Sequence, residues 1–314
     1  MLMIDKTTFD TPIALIVFNR PETTKKVLNA IREIKPQQLF IIADAPRENN
    51  QEDLIKSNLV KAVIDEGIDW DCKVYKKYNE KNLGCGKSPS SGISWVFEQV
   101  DRCIILEDDC LPEQSFFNFC AILLEKYVHD ERIMMVSGNH HLLKELTFEE
   151  NYFFSRHTQT WGWATWKRAW QFYDYDMKLW PTVKKSGWLE RIIGKGSSIF
   201  WVKLFDKCYN DKIKDYWDFQ WTFACWSQNG LNIIPDRNLV TNIGFGDGKG
   251  THFSDVNTPF ANLPVQKMPF PMKHPKAFLQ NLKADLQIEK DVYGKMSLYK
   301  SFKIKVFKLI KLGK

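Results

Sequence analysis

CIILEDDCLP, residues 103–112, sets four apolar residues directly against three carboxylates, Glu107, Asp108 and Asp109. The apolar part reads as a buried strand. Ending it on three acids needs a cause, because an ionised carboxylate is costly to bring near a core. Two causes stand open. The acids could charge the start of a helix beginning near Pro112, since carboxylates favour a helix N-terminus. Alternatively they hold a cation: one carboxylate suffices for a cap, and adjacent acids repel unless something neutralises them. Mg2+ or Mn2+ in phosphate chemistry is held through hard oxygen ligands, few of them from the protein.

The segments on either side supply the context. PIALIVFN (12–19) and QLFIIADA (38–45) are continuous apolar runs, the pattern of strands buried on both faces. CKVYKKY (72–78) and RCIIL (102–106) continue the series. Between them lie helical patterns. Pro21 suits a first helical position, and Val27, Leu28, Ile31 and Ile34 then repeat at helical spacing. A second helix over 51–66 carries Ile55, Leu59 and Val63 on one face, and a third follows the Gly-Ser-Pro stretch with Ile93, Val96, Phe97 and Val100. This alternation predicts an α/β fold with a mixed, mostly parallel sheet flanked by helices. Ligands of such sheets bind at the carboxyl ends of the strands. The FNRPE loop, the ADAPRE loop and the EDD triplet all leave strands at that end.

Beyond Pro112 the pattern predicts a helix to about Val128 and a strand at IMMVSGN (133–139). Further on lie WGWATWKRAW (161–170), with Trp163, Trp166 and Trp170 at helical spacings, a helical segment near 198–209, and WDFQWTFACW (217–226). Trp161-Gly162-Trp163 should precede a helix, with the glycine letting backbone approach a ligand.

Composition narrows the function. The net charge of +6 is matched by six lysines and no acid from Tyr299 to Lys314, so the remainder is close to neutral and offers no broad nucleic-acid footprint. Seven cysteines with no CxxC pair argue against framework disulfides and structural zinc, and fit a reducing cytosol. The start lacks the apolar stretch of a secretion signal, and no run is long enough to span a bilayer. No GxxxxGK[ST] occurs and no GxGxxG follows the first strand, which removes the main support for P-loop and dinucleotide-binding readings.

The order PIALIVFNRPE, FIIADAPRE, NLGCGKSPSSG, IILEDDCLPEQSFF resembles glycosyltransferases of the GT-A fold. The EDD-x-x-P/A-x-x-FF form is most similar to N-acetylglucosaminyltransferase I and bacterial relatives, and WGWATWKRAW and WDFQW look like the acceptor half of such bacterial enzymes. The resemblance implies a GT-A domain over 10–255, with a nucleotide-binding half (10–112) and an acceptor half (113–255), followed by an extension over 256–314. It also implies a metal-dependent, inverting transfer of a hexosyl or N-acetylhexosaminyl group from a UDP-sugar to a glycan or lipid-linked saccharide. That places the protein in capsule or lipopolysaccharide synthesis, at the cytoplasmic face of a bacterial membrane. By the same resemblance Asn19 and Arg20 contact the nucleotide, Asp44 the uracil ring, and Lys87 the ribose or phosphate. Asp108 faces the ribose or donor sugar with Glu107 in support, and Asp109 ligates Mn2+ or Mg2+. Asp218 matches the acid of a tryptophan-flanked WD motif and would serve as base, with a helix N-cap as its alternative role. Asp174, Asp176 and Glu190 are weaker rivals for the base. Trp161, Gly162 and Trp163 would meet the substrate. His252 is a loose match to a late metal or diphosphate ligand, and His140-His141 read as site-edge or structural. Two other classes stay open: a sugar-nucleotide nucleotidyltransferase, disfavoured by the missing glycine-rich loop, and a non-catalytic carbohydrate-binding protein, which would have no use for EDD.

The tail stands apart. Over about 297–313, Leu298, Tyr299, Phe302, Val306, Leu309 and Ile310 share one helical face and lysines lie elsewhere around it, the pattern of an interfacial helix on anionic lipid, with a solvated or disordered tail or a docking helix for a partner as the alternatives.

Overall fold

The computed structural model describes residues 9–142, 146–210, 216–245 and 259–294. The basic tail, His252 and the glycine-rich stretch around it lie outside the described residues.

The first half alternates as its apolar runs predict: β1 (Ile13–Val17), α1 (Pro21–Ile34), β2 (Gln38–Ala43), α2 (Gln51–Gly67), β3 (Lys73–Tyr78), α3 (Gly84–Phe97) and β4 (Arg102–Glu107). Then come β5 (Cys110–Pro112), α4 (Ser115–Lys126), β6 (Ile133–Ser137), β7 (Tyr152–Ser155), β8 (Trp163–Trp166) and α5 (Lys167–Trp170). Helices α6 (Trp180–Lys185), α7 (Trp188–Ile193), α8 (Lys195–Tyr209) and α9 (Asp218–Ser227) follow, then β9 (Leu231–Pro235), β10 (Val240–Asn242), α10 (Leu282–Ile288) and a π-helical turn over Glu289–Gly294. Eight strands form one sheet in the order β3-β2-β1-β4-β8-β6-β9-β7. β3, β2, β1 and β4 are parallel, β8 runs against both β4 and β6, β9 is parallel to β6, and β7 closes the edge antiparallel. This is the mixed, mostly parallel α/β sheet expected.

Both faces of the sheet are covered, which is why its central strands are apolar throughout. Strand alternation sends Ile13, Leu15 and Val17 into one core with Val27, Leu28 and Ile31 of α1 and Phe116, Phe117 and Leu123 of α4. Ala14 and Ile16 face the other, with Val96 and Phe97 of α3 and a tryptophan group from β8, α5, α8 and α9. Pro21 does stand in the first turn of α1, where its missing N–H costs nothing. None of the described helices is long and apolar enough to cross a membrane.

Four local expectations are corrected. The stretch WATW is a strand between β4 and β6, not part of a helix, and only Lys167–Trp170 turns helical. The glycine-rich stretch before Ile93 is helix from Gly84 onward, with Pro89 inside it. On α2 the buried face is Asp53, Ser57, Val60 and Ile64, while Ile55 and Leu59 are exposed. Finally, a short strand, β5, separates the acidic triplet from the next helix, which starts only at Ser115. Glu113, not the triplet, accepts the Ser115 N–H.

Candidate active site

The triplet therefore does not cap a helix. Its three acids lie where β4 ends, on the carboxyl edge of the parallel strands and next to the loop leaving β1. Asp108 is buried and accepts the Phe18 N–H at 3.2 Å. Arg20, at the start of α1, reaches across from the same loop. Its Nη1 lies 2.6 Å from Asp109 Oδ2 and 3.8 Å from Asp108 Oδ1. The Cys110 thiol leans on the other Asp109 oxygen at 3.5 Å.

The segment around β10 closes this end. β10 pairs antiparallel with β5, and the Ile243 N–H reaches the Asp109 carbonyl at 2.8 Å. Gly244 then passes so close that a Cβ there would sit 2.4 Å from Asp109 Oδ2 and 2.9 Å from Arg20 Nη1. The acid, the guanidinium and this glycine form one packed unit, which the sequence pattern did not reveal. Phe245 contacts Trp161, which in turn packs edge-on against His141.

Asp218 joins the same charge field from the other half of the chain. It opens α9, in the first turn rather than at the N-cap, and Trp217 is the capping residue without any side-chain cap bond. Burial pushes the Asp218 carboxyl up to about 6, while its own and the Phe219 backbone N–H oppose that shift. Glu107 is pushed further, to about 8, by burial first and then by the charges of Asp109, Asp108 and Asp218, with Arg20 pulling the other way. Three carboxylates thus share the end of β4 with the Arg20 guanidinium, and the charge of Asp218 is felt at Glu107. That is an excess of negative charge at the place where parallel sheets bind ligands.

The residues expected to meet a nucleotide fall into two groups. Asn19 donates to Asp53 Oδ1 at 2.8 Å. Asp53, which the sequence reading did not single out, is buried and also takes the Arg47 guanidinium at 2.5 and 2.9 Å. Those bonds, the Arg47 pair foremost, hold its carboxyl down at about 2. Asp53 thereby ties the β1 loop to the β2 loop at the start of α2, and Arg47 lies over the Phe18 ring at 5.9 Å. Replacing Asp53 with Ala should cost about 2 kcal/mol in urea unfolding, the loss of a buried charged hydrogen-bond set. Because the folded pKa is depressed, the pair stabilises fully above the ordinary Asp range and fades as pH falls through about 2.

Asp44 is the second group, and it serves the fold at the start of α3. Its two oxygens accept four N–H groups, from Ala45, Leu83, Gly84 and the Asn79 amide. The carboxylate caps the start of α3 from the end of β2. This explains how a Gly-Ser-Pro stretch becomes helical: a tertiary cap satisfies the orphan N–H groups that its own residues leave open. Lys87 is on that helix, exposed, with its ammonium 5.8 Å from the Tyr175 ring.

The tryptophans are mostly core. Trp163, Trp166, Trp180, Trp201, Trp221 and Trp226 are fully buried. Trp163 lies under Trp217 and Trp221 of the α9 segment at 5.4 and 5.8 Å, so it presents no plane to a sugar. Gly162 has φ +65, but its missing Cβ makes room for Val240 of β10 at 2.7 Å, not for a ligand. Trp161 alone of the three is partly exposed. His141 is pushed down to about 3 by burial and bonds the Asn139 amide, which makes it a neutral structural group; His140 likewise contacts the Pro235 carbonyl. Asp174 accepts the Asp176 and Lys178 N–H groups in a turn, and Asp176 and Glu190 are exposed. All seven cysteines are free.

No protein-family model matches the chain, and no curated protein matches it. Among solved structures, it is similar to mouse xyloside xylosyltransferase 1 in its apo form, at 12% identity and TM-score 0.35, over 70% of this chain and 82% of that one. It is similar to the mannosyltransferase PcManGT from Pyrobaculum calidifontis, in complex with GDP-Man and Mn2+, at 11% identity and TM-score 0.34, over 51% of this chain and 46% of that one. A third likeness is to the inositol-1-phosphate CTP transferase from T. maritima, at 11% identity and TM-score 0.32, over 52% of this chain and 74% of that one. Likeness at this level carries no functional weight, and the chemistry rests on the side chains themselves.

Proposed function

We propose that the chain is a metal-dependent, inverting glycosyltransferase that moves a sugar from a UDP-sugar to a saccharide acceptor, free or lipid-linked, in bacterial surface polysaccharide synthesis. The observation that carries the reading is the placing of Glu107, Asp108 and Asp109 together at the end of β4, on the carboxyl edge of the sheet, with the Arg20 guanidinium against Asp109.

Among the described residues no three ligating side chains converge as a preformed metal cage. Mg2+ or Mn2+ in phosphate chemistry needs one or two carboxylates and takes its other oxygens from the substrate. Asp109 would hold it, with Asp108 behind, and when bound it would neutralise the charge developing on the diphosphate leaving group. Arg20 is the cation already in place for that diphosphate, and Asn19, held by Asp53, shapes the loop beside it. Asp44 serves the nucleotide side through α3, by positioning Lys87. Asp218 takes the proton from the acceptor hydroxyl. Its pKa of about 6 leaves it ionised at neutral pH yet more basic than an ordinary aspartate, which suits a general base. Trp161 and Phe245 form the aromatic rim next to Gly244, where a sugar ring can stack.

A carbohydrate-binding protein would display its tryptophans, and here six of them are fully buried. A nucleotidyltransferase would release pyrophosphate instead of UDP. The direct test is a thermal-shift screen of UDP-, GDP- and CMP-sugars with and without Mn2+. Stabilisation by UDP-sugars only when Mn2+ is present is the expected result; no stabilisation by any UDP-sugar with Mn2+, or the same stabilisation without the metal, would sink the assignment.

A further inference from the structure

The residues after the sheet edge sort their charges by direction. Between Lys276 and Gly294 there are three acids, Asp285, Glu289 and Asp291. All three are turned into the protein. Asp285 takes the Ser155 hydroxyl, the Arg156 N–H at 3.0 Å and the Gln280 amide at 2.6 Å. Glu289 takes the Trp201 indole at 3.2 Å and faces His157 at 3.4 Å, and Asp291 is buried against Gln287. With Ala284 and Ile288 they make the inner face of α10 and its π-helical continuation.

The outer face is the reverse. Leu279, Leu282 and Leu286 are 72%, 65% and 70% exposed, and Lys283 and Lys290 are exposed between and beyond them. Leu279 and Leu282 also border a groove of about 460 Å3 whose apolar lining includes Phe148 and Phe153, with Lys276 and Glu150 at its edge. Leucines this bare are unusual on a face that meets only water, because each forfeits the gain of leaving it. The chain beyond Gly294 continues the same chemistry, with seven lysines and no acid over 295–314.

We propose that the outer face of α10 is a lipid-docking surface: Leu279, Leu282 and Leu286 enter the interface of an anionic bilayer, with Lys283 and Lys290 at the level of the headgroups. Buried acids, outward lysines and outward leucines give the charge and apolar complementarity such a surface needs. The surface rests on described residues and is independent of both the tail and the reaction.

The test is flotation of the full-length protein with vesicles of phosphatidylglycerol and phosphatidylcholine in equal parts, against phosphatidylcholine alone. Binding to the anionic vesicles is expected, weakened about tenfold or more by the pair Leu282→Gln and Leu286→Gln. Lys283→Ala and Lys290→Ala should each weaken it about fivefold on anionic vesicles, an effect that disappears on neutral ones. Because the leucines are exposed, melting temperature and UDP-sugar binding should stay as in the wild type, so failure here is distinguishable from failure of the transferase reading. Vesicle binding unchanged in the leucine pair overturns the proposal. So does a wild-type dimer that the same pair dissociates without any lipid binding, since the face would then belong to a second copy.

Discussion

Asp218→Asn is expected to lose sugar transfer by about a thousandfold, while UDP-sugar affinity stays within about twofold. The reason is local. Asp218 stands in the first turn of α9, where an amide oxygen can still accept the Asp218 and Phe219 backbone N–H groups, and its carboxyl is raised to about 6 because burial disfavours its charge. The amide keeps shape and removes the carboxylate proposed as base. Stability should move the opposite way. Asp218 and Glu107 both titrate above their ordinary values, so their stabilising contribution is complete below the ordinary carboxylate range and is lost as pH rises towards about 6 and about 8 respectively. The metal-free wild type should therefore melt progressively lower from mildly acid to mildly alkaline pH, by on the order of 2 kcal/mol. Asp218→Asn should flatten that slope and melt higher than wild type at neutral pH. A variant that lost donor binding and melted lower would assign Asp218 to the scaffold instead of the reaction.

Asp109→Ala is the second large effect. Metal-dependent transfer should fall by about a thousandfold or more, because both the cation and the diphosphate it would neutralise lose their anchor. The fold should tolerate the change. Asp109 adds to the repulsion that raises Glu107, and removing it relieves that charge even though Arg20 loses its 2.6 Å partner. The comparison with Asp53→Ala is diagnostic: both acids bind an arginine, but Asp53 is a buried tie between loops and Asp109 belongs to a crowded acidic end. Kinetics at varied Mn2+ with a melting curve separate the two. Normal metal-dependent turnover in Asp109→Ala would exclude it as the cation seat.

The parallel half was legible because burial on both faces leaves an unbroken apolar run, as in IALIV and QLFIIA, that no surface element mimics. The acids at its edge could be read from the same runs. What stayed hidden was whatever depended on a distant partner. WATW pairs with β4 and β6, a tertiary fact that its tryptophan spacing disguised as a helix. The start of α3 depends on Asp44, forty residues upstream of Gly84. The buried face of α2 follows Asp53 and its arginine, not the apolar stripe of Ile55 and Leu59. Gly244 against Asp109 and Arg20 had no local signal at all.

The pairing of β10 with β5 also sets an order of assembly. Strands β1 to β4 can find one another within the first hundred or so residues to be synthesised, whereas the Ile243–Asp109 bond joins points far apart along the chain. Contacts of such separation form late, since closing long loops is entropically slow. A nascent chain emerging from the ribosome would hold its acids on an unlatched edge until Val240 arrives. Competence for chemistry would then appear only when nearly the whole sheet is in place, so partial translation products would be inert.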